Sequence, residues 1–254
     1  MPEGPEAEIW RSALETVVGR TLIDAWVDER VAPPGFVDEV IGARIDGVRR
    51  VGKVVVLDGP GIGLHFGMTG RIVVDGQAPI ERLEYSSGRD DAGWDRLRLY
   101  TDDRLVPAVR MNDPRRLGRV SLHPDLSELG VDVFAVTPKR LAAAVGGRRA
   151  PIKSVLLDQH AVAGLGNMCA DEVLWWAGIA PHRPAASLRA DELAAMASAI
   201  RRRIPVMLRL GGSHCGTLSP DVRSACPPCP RDATPLRRDT IGGRTAVWCP
   251  GHQH

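Results

Sequence analysis

The apolar residues Ile9, Leu14, Val17 and Val18 fall near one face of a helical wheel, and Gly19 follows them as a stop, so residues 5–19 read as an N-terminal helix. The period then changes. Short Val-, Ile- and Leu-rich runs at 21–27, 44–57, 62–66, 71–74, 96–100 and 104–109 are punctuated by Gly, Pro and Asp, the pattern of antiparallel strands in a sandwich or barrel. Residues 76–95 read as loop. From about residue 125 the texture becomes Ala- and Leu-rich, and helices are predicted over 138–145, 151–158, 168–177 and 190–210, the last starting at Asp191. Gly146-Gly147, Gly164-Leu165-Gly166 and Gly211-Gly212 supply the breaks, and no regular helix is expected beyond Gly212. The pattern predicts an α+β multidomain chain: a β-sandwich with a leading helix over 1–124, a helical domain over 125–218 and a small module over 219–254.

Composition agrees with folded domains, since 44% of the 254 residues are apolar. No apolar run is long enough to span a membrane and the N-terminus is acidic, so a soluble, cytoplasmic protein is expected. The net charge is only +2, but it is unevenly spread. Residues 1–108 carry 13 basic and 19 acidic side chains, whereas residues 201–254 carry 9 Arg against 3 Asp, so a phosphate-binding face is expected towards the C-terminus. Only Lys53, Lys139 and Lys153 are lysine, which draws attention to each.

Five cysteines in such a chain argue for chemistry rather than a disulfide framework. Cys226-Pro-Pro-Cys229 is followed after 19 residues by Cys249-Pro-Gly-His252, two close donor pairs of the kind that hold one structural zinc ion tetrahedrally. His254 is an alternative fourth donor, but the two-residue gap before His252 matches the first pair. Between the pairs lie Arg231, Arg237, Arg238 and, after Gly242-Gly243, Arg244. A guanidinium on such a hairpin tip can grip a phosphate through two hydrogen bonds.

Gly164-Leu165-Gly166-Asn167 precedes the 168–177 helix, and free N–H groups at a helix start suit phosphate, with Lys153 just upstream. At the other end, loss of Met1 would leave Pro2 with a free secondary amine beside Glu3. An α-amine is partly unprotonated near neutral pH and can attack an electrophilic carbon.

Taken together, these blocks resemble the formamidopyrimidine-DNA glycosylase and endonuclease VIII family of base-excision repair enzymes. The likeness spans the start Pro2-Glu3-Gly4-Pro5-Glu6, Val51-Gly52-Lys53 on an early strand, His65 to Gly70, Asn112 to Gly118, Leu156 through Asn167 to Glu172, and the C-terminal finger. It implies a bifunctional glycosylase and AP lyase, in which Pro2 attacks C1′ of the damaged nucleotide and Glu3 moves protons. Lys53 would assist elimination and Arg244 the second elimination. Asn167 and Lys153 would grip phosphate within a helix-two-turn-helix element. Such enzymes extrude the target base and fill the gap. Met68 would be the inserted wedge, Arg115 would meet the orphaned base, and Leu117 would press on the duplex. Zinc at Cys226, Cys229, Cys249 and His252, duplex DNA with damaged bases or abasic sites as partner, and a monomeric state complete the expectation.

The chain departs from the formamidopyrimidine branch in several places. Leu117 stands where that branch has Phe, Gly93-Trp94-Asp95 lacks its His, and His252 replaces a common Cys. Only Ser219 to Ala225 separate Leu218 from Cys226, too few for the loop that covers a flipped 8-oxoguanine. With Gly4, this favours an endonuclease VIII-like preference for oxidised pyrimidines, although Asp113-Pro114-Arg115-Arg116 is closer to the formamidopyrimidine branch. A catalytically silent damaged-DNA binder and a zinc-ribbon scaffold are the competing classes.

Overall fold

The computed structural model describes residues 2–81, 83–84, 88–103 and 105–254. Met1, four residues of the expected 76–95 loop and the first residue of the 104–109 run lie outside that set. Contacts divide the chain into two units, one of residues 1–2 and 6–127, the other of residues 3–5 and 128–254.

The leading helix α1 (Gly4–Leu14) continues into a 3-10 turn at Glu15–Val17. In the first unit, β1 (Leu22–Val27), α2 (Phe36–Val40), β2 (Gly47–Val51), β3 (Val54–Asp58), β4 (Ile62–His65), β5 (Arg71–Val74), β6 (Asp95–Thr101), β7 (Val109–Asn112) and β8 (Arg119–Leu122) follow. They form two antiparallel four-stranded sheets, ordered β1-β6-β7-β5 and β2-β3-β4-β8. Alternating apolar residues of both sheets, Leu22, Leu97 and Met111 with Val55, Leu57 and Leu64, enter one core, the expected sandwich. Trp10 of α1 closes it, its ring 4.1 Å from that of Phe66.

Two strand expectations change. The 44–57 run folds back on itself, because Gly52 adopts φ 59° and opens a two-residue hairpin turn in which Val51 pairs with Val54. Lys53 therefore sits in a turn and not on a strand. The 104–109 run is displaced to Val109–Asn112, while Leu105 and Val106 lie exposed. Helix α2 and strand β8 were not anticipated.

The second unit contains β9 (Val131–Asp132), α3 (Pro138–Val145), α4 (Ile152–Leu157), β10 (Val162–Ala163), α5 (Asn167–Ala177), α6 (Ala190–Leu210), α7 (Pro220–Ala225), β11 (Arg237–Ile241) and β12 (Arg244–Trp248). Its core gathers Leu141, Ile152, Leu156, Leu165, Val173, Met196 and Ile200 from α3 to α6. Helix α6 begins at Ala190 after Arg189, whose N–H donates to Glu192, so Asp191 is not its cap. Beyond Gly212, contrary to expectation, α7 forms under a Ser219 cap with Pro220 in its first turn. Strands β11 and β12 make a hairpin whose turn, Gly242-Gly243, has positive φ at both positions, as a type I′ turn requires. Among the described residues no helix is long and apolar enough to cross a membrane.

Candidate functional site

In the first unit, Met68, Arg115 and Leu117 come together. Gly67, at φ 57°, brings the backbone so close to Leu117 that a Cβ would stand 2.4 Å from its carbonyl carbon. The buried Asp113 carboxylate fixes the facing turn, accepting the N–H groups of Leu117 and Gly118 at 2.7 Å each and that of Arg115 at 3.2 Å. Thr69 donates to the same carboxylate from the Met68 turn. Arg115 is exposed, with its guanidinium 3.9 Å from the Met68 sulfur. Two turns thus present an apolar chain, a guanidinium and the part-exposed Leu117 on a rigid base. Lys53 is buried in its hairpin turn. Burial, reinforced by the charges of Lys53 and Arg119, depresses the pKa of His65.

In the second unit the start of α5 holds an anion, but it is not a phosphate. The Glu3 carboxylate accepts the N–H groups of Gly166 and Met168 at 2.8 Å and of Cys169 at 3.1 Å, and it is 1% exposed. This corrects the expected phosphate cradle: the free N–H groups of the helix are satisfied by the chain's own residue. Gly166 is required there, because a Cβ would lie 2.4 Å from the Glu3 carboxyl carbon. Asn167 opens α5, and its buried Oδ1 receives no hydrogen bond from the described residues. Pro2, one residue before Glu3, is buried.

Lys153 is also not where a phosphate contact would put it. Its ammonium is fully buried, 2.7 Å from Asp171 Oδ1, and donates to the Thr245 carbonyl at 2.5 Å. Burial lowers its pKa and the Asp171 charge opposes that fall. Arg223 completes the set, donating to Asp171 at 2.5 Å and to Thr245 at 3.1 Å. The next residue to Thr245 is Arg244, exposed on the hairpin where the sequence anticipated it. Sequence reasoning missed Arg223 and gave no role to Asp171 and Glu172, although both lie in a block that carries the family likeness. The buried Glu172 receives Trp176, Arg203 and the Leu218 N–H, and so fixes the segment that enters α7.

Below the hairpin, Cys229, Asp232, Cys249 and His252 place one donor atom each within 4.8 Å of one another. These are sulfur, nitrogen and oxygen donors of the kinds zinc accepts, so the residues fit a four-coordinate ion. Three of the four expected ligands are there, whereas Cys226 is not. Its backbone turns left-handed, at φ 44°, where α7 ends, and its thiol lies 3.7 Å from the Arg223 carbonyl. The Thr234 N–H holds the Asp232 carboxyl below its ordinary pKa.

Residues 1–120 match the formamidopyrimidine-DNA glycosylase N-terminal domain and residues 129–219 the formamidopyrimidine-DNA glycosylase H2TH domain. The formamidopyrimidine-DNA glycosylase of Paracoccus denitrificans is 34% identical over 284 residues, which cover 98% of this chain and 99% of the relative. The chain belongs to the formamidopyrimidine-DNA glycosylase family. The crystal structure of the MutM (Fpg) protein of Thermus thermophilus matches with a TM-score of 0.79 at 28% identity, over 99% of this chain and 98% of the other. A Lactococcus lactis Fpg variant, solved in complex with DNA containing Fapy-dG, shares the fold with a TM-score of 0.81 at 24% identity, over 100% of both chains.

Membership makes this chain a DNA glycosylase of base-excision repair. The family assignment does not separate the formamidopyrimidine and endonuclease VIII branches. The Asp232 signal was present in the sequence: Cys229 and Asp232 are separated by two residues, as are Cys249 and His252.

Proposed function

We propose that this family member is a bifunctional glycosylase and AP lyase acting on duplex DNA through the amine of Pro2 once Met1 is removed. The observation that carries the proposal is the threefold backbone grip on Glu3, which fixes the peptide immediately after that amine. The amine lone pair forms a bond to C1′ as the base leaves, and opening of the sugar gives a Schiff base. Loss of a C2′ proton then expels the 3′ phosphate, and a second elimination releases the 5′ phosphate. Glu3 is the proton carrier at the sugar, Lys53 assists elimination and Arg244 binds phosphate for the second step. Met68, Arg115 and Leu117 occupy the gap in the opened duplex. Asn167 donates its side-chain amide N–H to the DNA backbone, while Lys153 supports the hairpin from beneath. Phosphate contacts dominate affinity, so binding weakens steeply with salt. The protein works as a cytoplasmic monomer in three parts, 1–124, 125–218 and 219–254, and the metal of the last is structural zinc, which supplies folding energy to the finger when bound.

The test is borohydride trapping on abasic DNA with protein whose first residue is verified as proline. A covalent complex is expected, and Pro2→Gly should reduce it sharply. Equal trapping by the variant removes Pro2 from the mechanism, and binding without any cleavage would instead favour the silent damaged-DNA binder.

A second reading concerns the lesion. The segment between Leu218 and Cys226 is wholly spent on the Ser219 cap and α7, which supports oxidised pyrimidines over a base needing a long covering loop. The names of the relatives favour formamidopyrimidine lesions. An oligonucleotide panel in which 8-oxoguanine or formamidopyrimidine is removed faster than oxidised pyrimidines would overturn the pyrimidine preference.

A further inference from the structure

We propose that Asp232 is a ligand of the finger's metal ion, and that the centre is Cys229, Asp232, Cys249 and His252 with Cys226 left out. This rests on the metal reading above and specifies its donors. Two short turns carry the four groups in matched pairs. In the first, the Cys229 N–H donates to the Thr234 carbonyl at 2.7 Å, the Ala233 N–H returns to the Cys229 carbonyl at 2.8 Å, and Thr234 donates to Asp232 Oδ1 at 3.0 Å. In the second, the Gln253 N–H donates to the Cys249 carbonyl at 3.1 Å, and the Gln253 side chain accepts the Cys249 N–H at 2.7 Å.

The turns meet closely. A Cβ on Gly251 would stand 2.7 Å from Asp232 Oδ2 and 2.3 Å from Thr234 Oγ1, so glycine is what lets the second turn reach the carboxylate. The Cys249 sulfur lies 3.3 Å from Asp232 Oδ1, His252 Nδ1 lies 3.2 Å from Asp232 Oδ2, and the Cys229 sulfur lies 3.7 Å from His252 Nδ1. His252 Nε2 is 3.1 Å from the Trp175 carbonyl. A carbonyl only accepts, so that nitrogen carries the ring proton and Nδ1 keeps a lone pair aimed at the cluster, the outer-shell arrangement of a metal-bound imidazole. Two thiolates, one imidazole and one carboxylate make a complete tetrahedral zinc set. Cys226 is directed by the end of α7 towards the Arg223 carbonyl instead.

Cobalt substitution of the full-length protein tests this, because thiolate-to-cobalt charge-transfer absorption grows with each bound thiolate. The wild type should bind one ion per chain with two-thiolate intensity, and Cys226→Ser should leave both stoichiometry and intensity unchanged. Asp232→Cys should keep a tetrahedral site and raise the intensity by half. Asp232→Ala should lower metal affinity by about tenfold or more in chelator competition, at least what loss of an outer-shell partner costs. A three-thiolate wild-type spectrum that drops by a third in Cys226→Ser overturns the inference while leaving a metal centre. Protein that takes up no ion at all overturns the metal reading itself.

Discussion

The Lys153 ammonium lies 2.7 Å from the Asp171 carboxylate, and neither group is more than 1% exposed. Removing one partner of such a pair leaves an uncompensated buried charge, a loss of about 3–5 kcal/mol. Asp171→Asn should show it in urea unfolding, and Lys153→Met should cost less, because Arg223 still pairs with Asp171. Lys153 neutralises no phosphate in this arrangement, so a folded Lys153 variant should keep the wild-type slope of log affinity against log salt. A slope reduced by about one would return Lys153 to the DNA surface.

Glu3 offers a second test. Glu3→Ala would leave three backbone donors at the start of α5 without their acceptor, at about 1–3 kcal/mol for each group left buried and unpaired. Gly166→Ala should reproduce part of that loss without touching Glu3, because the new Cβ displaces the carboxylate. Both variants should lose trapping on abasic DNA. Full trapping by a stable Gly166→Ala protein would detach Glu3's position from the chemistry.

Arg244 stands at the exposed end of the Gly242-Gly243 turn, next to the carbonyl that Lys153 and Arg223 grip. Arg244→Ala should spare base removal and leave more product halted after the first elimination. Gel analysis of cleaved ends reads this directly, and an unchanged product distribution would refute the assignment.

His65 carries a pH signature. Burial first, then Lys53 and Arg119, hold its pKa below the ordinary 6.5, and the Gly67 N–H points at its Nδ1 from 3.3 Å. Between that lowered value and 6.5 the unfolded chain binds more protons than the folded one, so stability rises with pH across the window and falls on acidification. Urea midpoints measured between about pH 5 and 7.5 should show the decline, and His65→Asn should remove its share of it. An identical profile in the variant would mean that His65 does not titrate differently on folding.

Strand positions were legible wherever a short apolar run lay between turn residues, as in β1, β4 and β5. Leu105 and Val106 misled because apolar character without a core to enter does not make a strand, and β7 pairs through Arg110 and Asn112, whose partners Asp90 and Asp95 are remote in sequence. Helix α7 was missed although Ser219-Pro220 is a start signal, since six residues carry little periodicity. In the finger, Cys229, Cys249 and His252 were legible from spacing. Asp232 was hidden behind the adjacent Cys226-x-x-Cys229 pair, which satisfies the same spacing rule and which only the direction of the chain leaving α7 excludes. The burial of Lys153 and the occupation of the α5 terminus by Glu3 depend on contacts more than 90 residues apart, which no local pattern encodes.

Chain ends are ordinarily loose, and a group borne there must be searched for by its target. Glu3 is anchored on both carboxylate oxygens, and with the ring of Pro2 holding its own N–Cα torsion only Pro2 ψ and Glu3 φ turn between the first nitrogen of a processed chain and the Cα of that anchored residue. Presentation of that nitrogen is largely settled during folding, before any ligand arrives.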